Sequence, residues 1–341
     1  MVAKAESELM SVVDLFAGVG GLSFGFQKTG HQLLFASDFD PAASETFIHN
    51  HPGVPFYLDS IEKLEPLSIM SDINLSKGEL DVLVGGVPCQ AFSMAGVRIR
   101  RDFRGQLDDR IYLFRQFLRF ADALNPKVIV IENVPGILSM LGGSVIEEIR
   151  ASLETLGYSV SWRLLNAADY GAPQLRTRAI IIANRLSAAN LFPPPEFSKE
   201  QYRTVETAFR DIPSLNHEPR SLTGVTLQRV QLLRQGQNWR DLPVALRTKS
   251  VHSGAYGRLR LDSPARTLTT RFDTPSVGYV THPTEDRALT VREGARLQGF
   301  PDDFEFFGTR MEQYKQVGNA VSPYMSLAIA KAVNKVLNGG E

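Results

Sequence analysis

Short apolar runs that end in glycine or polar residues constrain the fold of this chain more than any other feature. Such runs cover residues 11–16, 33–36, 81–84 and 127–131. Runs of this length and composition are typical of buried strands, and stretches with helical texture separate them. The pattern predicts an open α/β sheet, which binds its ligands outside the carboxyl ends of its strands. The residues that follow each run are therefore the first candidates for function.

The first run leads into a glycine turn, in which Gly18, Gly20 and Gly21 precede a helical pattern. A strand, a glycine turn and a helix can hold a nucleotide against backbone N–H groups at the helix N-terminus. Ser23 stands where a dinucleotide fingerprint would place its third glycine, so a dinucleotide site is disfavoured. Many glycine turns serve only as tight turns, and that interpretation remains open for this one.

The second run and a further predicted strand that closes at residues 57–60 end in acidic residues that suit an adenosine ligand. Asp38 lies about 20 residues beyond the glycine turn, where a carboxylate can accept from ribose hydroxyls. Phe39 offers a ring face to adenine, and Asp59 could accept from the adenine amino group. The alternative for Asp38 is a helix N-cap, a role that suits Asp40 before Pro41 better.

Cys89 is the only cysteine, and it follows the apolar run 81–84 through Gly85, Gly86 and Pro88. We expect it where a buried strand ends and a mobile loop begins. Taken alone, a buried and inert cysteine would be the commoner outcome. Glu132 ends another apolar run, where a carboxylate is costly to bury unless it is paired or functional. Alternation along residues 174–178 points three polar side chains to one face: Gln174, Arg176 and Arg178.

Charge and composition narrow the class of partner. The 341 residues carry 37 basic and 37 acidic side chains, so the chain as a whole lacks the net positive charge that is typical of nucleic-acid-binding proteins. Residues 196–271, however, hold 13 basic and 7 acidic residues, and a second basic cluster spans residues 98–104. Charge clusters of this kind are often only solvated faces, but two basic regions on one chain are also compatible with a polyanionic partner. One cysteine, no signal core and no membrane-length apolar run predict a cytoplasmic protein with no membrane partner.

Six motifs in a fixed order make the chain resemble the bacterial-type DNA (cytosine-5)-methyltransferase family. They begin at Asp14, Pro88, Glu132, Gln174, Arg292 and Gly318, with the sequences DLFAGxGG, PCQxFS, ENV, QxRxR, RExxRLQGFP and GNAV. The resemblance implies a doubly wound, mostly parallel sheet of the S-adenosylmethionine-dependent methyltransferase fold. It also implies a catalytic and cofactor-binding domain over 1–190, a small irregular target-recognition domain over 191–285 and a C-terminal segment, 286–341, that completes the catalytic domain.

The implied reaction is methyl transfer from S-adenosylmethionine to C5 of cytosine in a specific double-stranded DNA sequence. Cys89 would add to C6 of a base flipped out of the duplex, as a thiolate with a depressed pKa. Glu132 would donate to N3 if it carries a proton, a form that burial favours. Arg178 would steer Glu132 and the cytosine O2, and Arg176 would order the thiolate loop. The base that takes the C5 proton is not identified, and water is a candidate.

The resemblance also implies the binding residues, with no metal site. Those expected to contact the cofactor are Phe16, Gly18, Gly20, Gly21, Leu22, Asp38, Phe39, Asp59, Ser60, Pro88, Leu113, Asn319 and Val321. Ser60 departs from the apolar residue that is commonest there. Those expected to contact DNA are Gln90, Ser93, Arg98, Arg258 and Thr267. Thr267 would meet a phosphate and Arg258 a guanine, although a structural turn around a solvated Arg258 is equally compatible.

We expect a monomer, with a cognate restriction endonuclease as a candidate partner. Two other functions remain open at this point: methylation of tRNA by the same catalytic residues, and DNA binding without catalysis. Gln90–Ser93 and the basic segment favour DNA over tRNA, whereas the intact Cys89 and Glu132 favour catalysis over binding alone.

Overall fold

The computed structural model describes residues 9–88, 113–248 and 252–339. A strand falls on each of the four apolar runs. The strands are β1 Ser11–Leu15, β2 Gln32–Asp38, β3 Phe56–Leu58, β4 Val82–Gly86, β5 Val128–Asn133, β6 Ser159–Asn166, β7 Gln174–Leu175, β8 Thr177–Asn184, β9 Gly257–Arg258, β10 Ala265–Arg266 and β11 Tyr279–Thr281. The helices are α1 Gly21–Lys28, α2 Pro41–Asn50, α3 Pro66–Asp72, α4 Leu113–Leu124, α5 Ser144–Thr155, α6 Val205–Ala208, α7 Gly224–Gln231, α8 Val291–Gln298, α9 Arg310–Asn319 and α10 Pro323–Leu337.

Seven strands form the main sheet in the order β3-β2-β1-β4-β5-β8-β6. The first five pair in parallel, and β8 runs antiparallel to both of its neighbours. The strand order reverses between β1 and β4, so a crevice opens at their carboxyl ends. This confirms the expected doubly wound, mostly parallel fold.

The sheet is buried on both faces because successive residues of each central strand point to opposite sides. Val13 and Leu83 pack into one apolar cluster with the helices α3, α4 and α5. Val12 and Val82 pack into a second cluster with α1 and α10. The resulting three layers explain why the central strands are continuous apolar runs.

The C-terminal helix α10 packs closely on α1. A Cβ atom on Gly25 would meet the backbone of Ser326 well inside contact distance, so glycine is required there. The Ser326 hydroxyl donates to the Leu22 carbonyl at 2.5 Å. The sequence predicted one last helix opening at Gln316; instead α9 ends at Asn319, residues 320–322 are extended, and α10 starts at Pro323. Proline fits the first turn of a helix and not its interior, which explains the break.

Residues 191–285 contain short elements and share hydrophobic clusters with their neighbours. Val205, Leu259 and Phe272 pack with Leu297 of α8 and Val317 of α9. A separate small cluster holds five buried residues: Val230, Leu233, Leu242, Ala255 and Tyr256. The division at residues 190 and 285 stays a prediction, and the larger of these two clusters crosses the second boundary.

No helix in the described ranges is long and apolar enough to cross a membrane. Over the same ranges, no group of three or more histidine, cysteine or acidic side chains is arranged to hold a metal ion.

Candidate active site

Most of the residues predicted to bind the cofactor lie at or just beyond strand ends, at one edge of the sheet. The glycine turn follows β1, Asp38 ends β2, and Asp59 comes directly after β3. Pro88 lies just beyond β4, and Glu132 lies near the end of β5. Because these five strands are parallel, their carboxyl ends meet at the same edge. The fold therefore brings the predicted groups together.

Each of the three glycines in the turn is required by a different conformational or steric constraint. Gly18 adopts a φ of +55°, and a Cβ there would face open space. Gly20 adopts a φ of +87° as the N-cap of α1, and a Cβ there would overlap the His51 ring. A Cβ on Gly21 would collide with the Val321 carbonyl oxygen. Gly18 is thus the position of the three that leaves room for a ligand.

Asp38 holds the turn open from the neighbouring strand. Its Oδ2 accepts from the Gly18 N–H at 2.9 Å, and its Oδ1 accepts from the Asp40 N–H at 3.0 Å. Burial raises the pKa of Asp38, and the N–H groups of Asp40 and Gly18 offset part of that rise. Phe39, the next residue, is 60% exposed and offers a free ring face. The predicted N-cap role belongs to Asp40, whose side chain accepts from the N–H groups of Ala42 and Ala43.

Lys315 of α9 ties the second strand end to the C-terminal motif. Its ammonium lies 2.6 Å from Asp40 Oδ2. Burial alone would raise the pKa of Asp40, but the hydrogen bond and charge of Lys315 hold it below its usual value. Asn319, four residues further along, is exposed, whereas Val321 is buried against the turn. The ion pair fixes two sides of the crevice relative to each other.

Asp59 presents an ionised carboxylate at the third strand end. Its Oδ1 accepts from the Ser60 N–H at 2.7 Å and lies 3.1 Å from the Lys63 ammonium. These two contacts, the backbone N–H first, lower the pKa of Asp59. The Ser60 hydroxyl donates to Glu62 at 3.2 Å. An ionised acceptor suits the amino group that was predicted to meet Asp59.

Glu132 and Arg178 form a buried ion pair where β5 meets β8. Arg178 Nε lies 2.8 Å from Glu132 Oε1, and the two side chains are only 11% and 10% exposed. Asn133 donates to the Val87 carbonyl at 2.9 Å, which fixes the chain just before Pro88. The predicted partnership of Glu132 with Arg178 is present, and a polar strand end is tied to the segment that leads to Cys89.

The alternation predicted around β7 is also present: Gln174, Arg176 and Arg178 are buried, whereas Leu175 and Thr177 are exposed. Gln174 donates to Gln298 at 3.0 Å, and Gln298 in turn donates to the Val317 carbonyl at 2.7 Å. Arg176 donates to the carbonyls of Leu268 and Gly318 at 3.2 and 2.9 Å. Burial and the nearby Arg178 lower the pKa of Arg176. Gln174 and Arg176 together therefore link the motifs that begin at Gln174, Arg292 and Gly318; ordering of the thiolate loop by Arg176 remains a prediction.

Arg258 lies in a different environment from the one predicted for a base reader. It is 5% exposed, and its guanidinium donates to the carbonyls of Val230, Leu233, His282 and Glu285 and to the Asp286 carboxylate at distances of 2.5–2.9 Å. Every nitrogen of the guanidinium is engaged, so this burial contradicts both a guanine contact and a solvated arginine. Arg258 instead links the end of α7 to the turn after β11.

Thr267 is exposed on the segment after β10, and its hydroxyl donates to the Leu175 carbonyl at 2.7 Å. Leu22 is buried, with its side chain in the cluster between the sheet and α10. Phe16 has a φ of +58° and Leu113 begins α4; both side chains pack partly against the other face. Four predicted residues lie outside the described ranges: Cys89, Gln90, Ser93 and Arg98.

Asp14 is a buried charged residue to which the sequence analysis gave no separate role. It lies in the central strand β1, and its Oδ2 accepts from the Ser23 hydroxyl at 2.6 Å. Its Oδ1 is buried with no hydrogen-bond partner among the described residues. Burial raises the pKa of Asp14 to about 7. The sequence does carry a signal for a special role of Asp14, because it is an acidic residue inside the otherwise apolar run 11–16.

A family model for C-5 cytosine-specific DNA methylases matches residues 10–335. The chain belongs to this family. It is 37% identical over 336 residues to the Type II methyltransferase M1.HphI of Haemophilus parahaemolyticus, covering 96% of this chain and 87% of that protein. It is 35% identical over 351 residues to the Type II methyltransferase M.NgoFVII of Neisseria gonorrhoeae, covering 98% and 90%. Membership makes the chain a DNA (cytosine-5-)-methyltransferase and confirms the resemblance.

Solved structures agree on the fold. An E. coli prophage-encoded protein described as a DNA modification methyltransferase superimposes with a TM-score of 0.75 at 24% identity, covering 96% of this chain and 99% of that one. A mutant of Spodoptera frugiperda DNMT2 gives a TM-score of 0.67 at 16% identity, covering 95% and 99%. At these identities the likeness supports the architecture alone.

Proposed function

We propose that the enzyme transfers a methyl group from S-adenosylmethionine to C5 of a cytosine that is flipped out of a specific double-stranded DNA sequence. The observation that carries the proposal is the carboxyl edge, where an open glycine turn and a buried Glu132–Arg178 pair flank the strand that leads to Cys89. The relatives named as Type II methyltransferases support a DNA substrate and a restriction-modification setting.

The cofactor side fits S-adenosylmethionine in chemistry and in space. When bound, this cofactor supplies an electrophilic methyl group on a sulfonium. Gly18 leaves open space over the turn, and Asp38 and Asp59 are acceptors at the next two strand ends. Phe39 exposes a ring for stacking on a base. Acceptors and an exposed ring suit an adenosine, and the two lysines described at these strand ends, Lys63 and Lys315, are paired with Asp59 and Asp40.

On the substrate side, Cys89 forms a bond from sulfur to C6 of the cytosine. The ring would then carry enamine character, which makes C5 nucleophilic towards the methyl group that bound S-adenosylmethionine would supply. A base, for which water is the candidate, takes the C5 proton; the C–S bond then breaks with its electron pair returning to the Cys89 sulfur, and the aromatic ring is restored. In its protonated form, Glu132 donates at N3 while electron density builds on the ring, and Arg178 Nε, 2.8 Å from Oε1, holds the carboxyl group in place.

Contacts to DNA are expected on the exposed side of residues 191–285. Arg266 is exposed, and its guanidinium stacks on the Tyr279 ring at 4.0 Å from the centroid. It precedes Thr267, and β10 pairs with β7 next to the buried arginines of the active site. We assign Arg266, in place of Arg258, to a DNA contact. A stacked guanidinium is already ordered and keeps its N–H edge available.

Methylation assays with purified protein and S-adenosylmethionine test this function. We expect transfer to duplex DNA, none to tRNA, and a single methylated sequence in bisulfite sequencing of DNA from cells that express the enzyme. Transfer to tRNA alone would identify the RNA alternative. Cofactor binding by calorimetry without any transfer would identify a non-catalytic DNA-binding member. We expect the active species to be a monomer, which sedimentation checks directly.

A further inference from the structure

His51 lies directly beneath the glycine turn. It is 1% exposed and follows the end of α2. A Cβ built on Gly20 would lie 2.7 Å from His51 Cδ2 and nearer still to Nε2. The imidazole therefore occupies the volume that any side chain at Gly20 would need. The same ring limits how far the turn can move towards the core.

Three neighbours hold the His51 ring in this place. Its Nδ1 lies 2.5 Å from Gln27 Oε1 on α1, which fixes the ring plane. The rings of Phe47 and Phe304 lie 4.4 and 6.2 Å away, centroid to centroid. Burial lowers the pKa of His51 to about 4, although the Val19 carbonyl offsets part of that effect. The ring is thus a neutral, rigid part of the support at neutral pH.

The opposite side of the turn is closed by the backbone of Val321, which leaves no room for a Cβ on Gly21. The turn is therefore held between His51 and the segment before α10. Gly18, the remaining glycine, is fixed by its N–H to Asp38 and faces open space. A change in the size of the side chain at position 51 would therefore move the glycine turn, and Gly18 would shift relative to Asp38 and Phe39.

We propose that His51 is a positioning residue for the cofactor: it sets the height of the glycine turn without touching the ligand. This inference rests on the proposed use of S-adenosylmethionine at this turn. It predicts that replacing His51 changes the affinity for the cofactor and not the rate of the chemical step. The reason is that Glu132 and Arg178 lie on β5 and β8, whereas the glycine turn follows β1.

The main test compares His51→Ala with His31→Ala. His31 is a matched control, since it is also buried, packs edge-on against a phenylalanine, Phe26, and has a pKa lowered by burial. It precedes β2 at the opposite edge of the sheet. We expect His51→Ala to raise the calorimetric Kd for S-adenosylmethionine about tenfold, equivalent to about 1.4 kcal/mol. The kcat at saturating cofactor should stay within about twofold of the wild-type value. His31→Ala should lower Tm without changing Kd.

Two further measurements separate positioning from general destabilisation. Amide exchange at Gly18 and Gly20 in the cofactor-free protein should quicken in His51→Ala and not in His31→Ala. Gly20→Ala should weaken cofactor binding less in the His51→Ala background than in the wild type, because the overlap with the ring is gone. An unchanged Kd in His51→Ala, or an equal rise in His31→Ala, would overturn the inference. A wild-type protein that binds no S-adenosylmethionine would instead overturn the proposed function.

Discussion

The carboxyl edge of the sheet and the segment 191–285 use their charged side chains in opposite ways. At the edge, Asp38, Asp59 and the Glu132–Arg178 pair lie at strand ends, where the backbone already has its hydrogen bonds within the sheet. In the segment, Arg229, Arg247 and Arg258 donate to backbone carbonyls. Charged groups at the edge remain available for ligands, whereas these arginines complete the local fold.

The difference follows from secondary structure. Strands satisfy one another's carbonyls, but an irregular segment leaves carbonyls that need donors from side chains. Arginine carries five N–H donors and can serve several carbonyls at once. The small cluster around Val230 and Tyr256 buries only five residues, so arginines contribute to its cohesion. In such a segment, a basic residue is evidence of DNA contact only when it is exposed and free of carbonyl partners.

Glu132→Gln gives the largest expected effect at the edge. The amide keeps the shape of the side chain but cannot transfer a proton, so we expect kcat to fall by about 10²–10⁴. The Kd for S-adenosylmethionine should remain within about twofold, as measured by calorimetry. Glu154→Gln, on an exposed face of α5, is the control and should leave kcat unchanged. Wild-type turnover in Glu132→Gln would remove Glu132 from the reaction.

Arg258→Ala tests the other side of the comparison. Its loss leaves several carbonyls unsatisfied, and we expect the free energy of unfolding to fall by about 3 kcal/mol. The exposed Arg260, two residues further along, pairs with Asp262 at 2.6 Å on the surface, and Arg260→Ala should leave Tm unchanged. Arg266→Ala should do the reverse of Arg258→Ala: Tm stays constant while DNA affinity and its salt dependence fall. A stable Arg258→Ala with an altered recognition sequence would contradict this account.

Asp38→Ala should weaken S-adenosylmethionine binding, because ribose hydroxyls lose their acceptor. Each hydrogen bond to a charged group contributes about 1.5–3 kcal/mol. Part of the loss arises because Gly18 also loses its acceptor. Asp38→Asn keeps one acceptor oxygen and should give an intermediate Kd. Should a folded Asp38→Ala bind the cofactor as tightly as the wild type, the placement of the ribose at this strand end is wrong.

The smallest effect concerns Asp14 and pH. Burial raises the pKa of Asp14 from 3.8 to about 7, so the folded protein binds this proton more tightly than the unfolded chain does. Its contribution to stability is complete below about pH 4 and is lost as pH rises from about 4 to about 7. Asp14→Asn should therefore flatten the decline in urea stability over this interval, between about pH 4 and about pH 7. Part of the pH dependence of stability should remain in the Asp14→Asn variant, because burial also raises the pKa of Asp38. An unaltered slope would show that Asp14 is not buried as an acid.

The sequence predicted most of the edge because β1, β2, β4 and β5 are mainly buried apolar runs, and their candidate residues lie at or just beyond the strand ends. Leu33–Ala36 leads to Asp38, and Val128–Ile131 leads to Glu132. It could not predict the role of His51, which depends on how α2 packs under a turn 30 residues earlier. Arg258 failed for a related reason: the carbonyls it binds lie 24–28 residues away along the chain. The residues next to His51 and Arg258 in the sequence therefore do not indicate the contacts that these two side chains make.

The most direct test of the central claim is trapping on DNA that carries 5-fluorocytosine at the target position. Fluorine cannot leave C5 as a cation, so the bond from Cys89 to C6 should persist after methyl transfer. We expect a complex that survives boiling in detergent, requires S-adenosylmethionine in its methylated form and disappears in Cys89→Ser. Mass spectrometry of the trapped peptide should place the adduct on Cys89. An adduct on any other residue, or wild-type methylation by Cys89→Ser, would contradict the account.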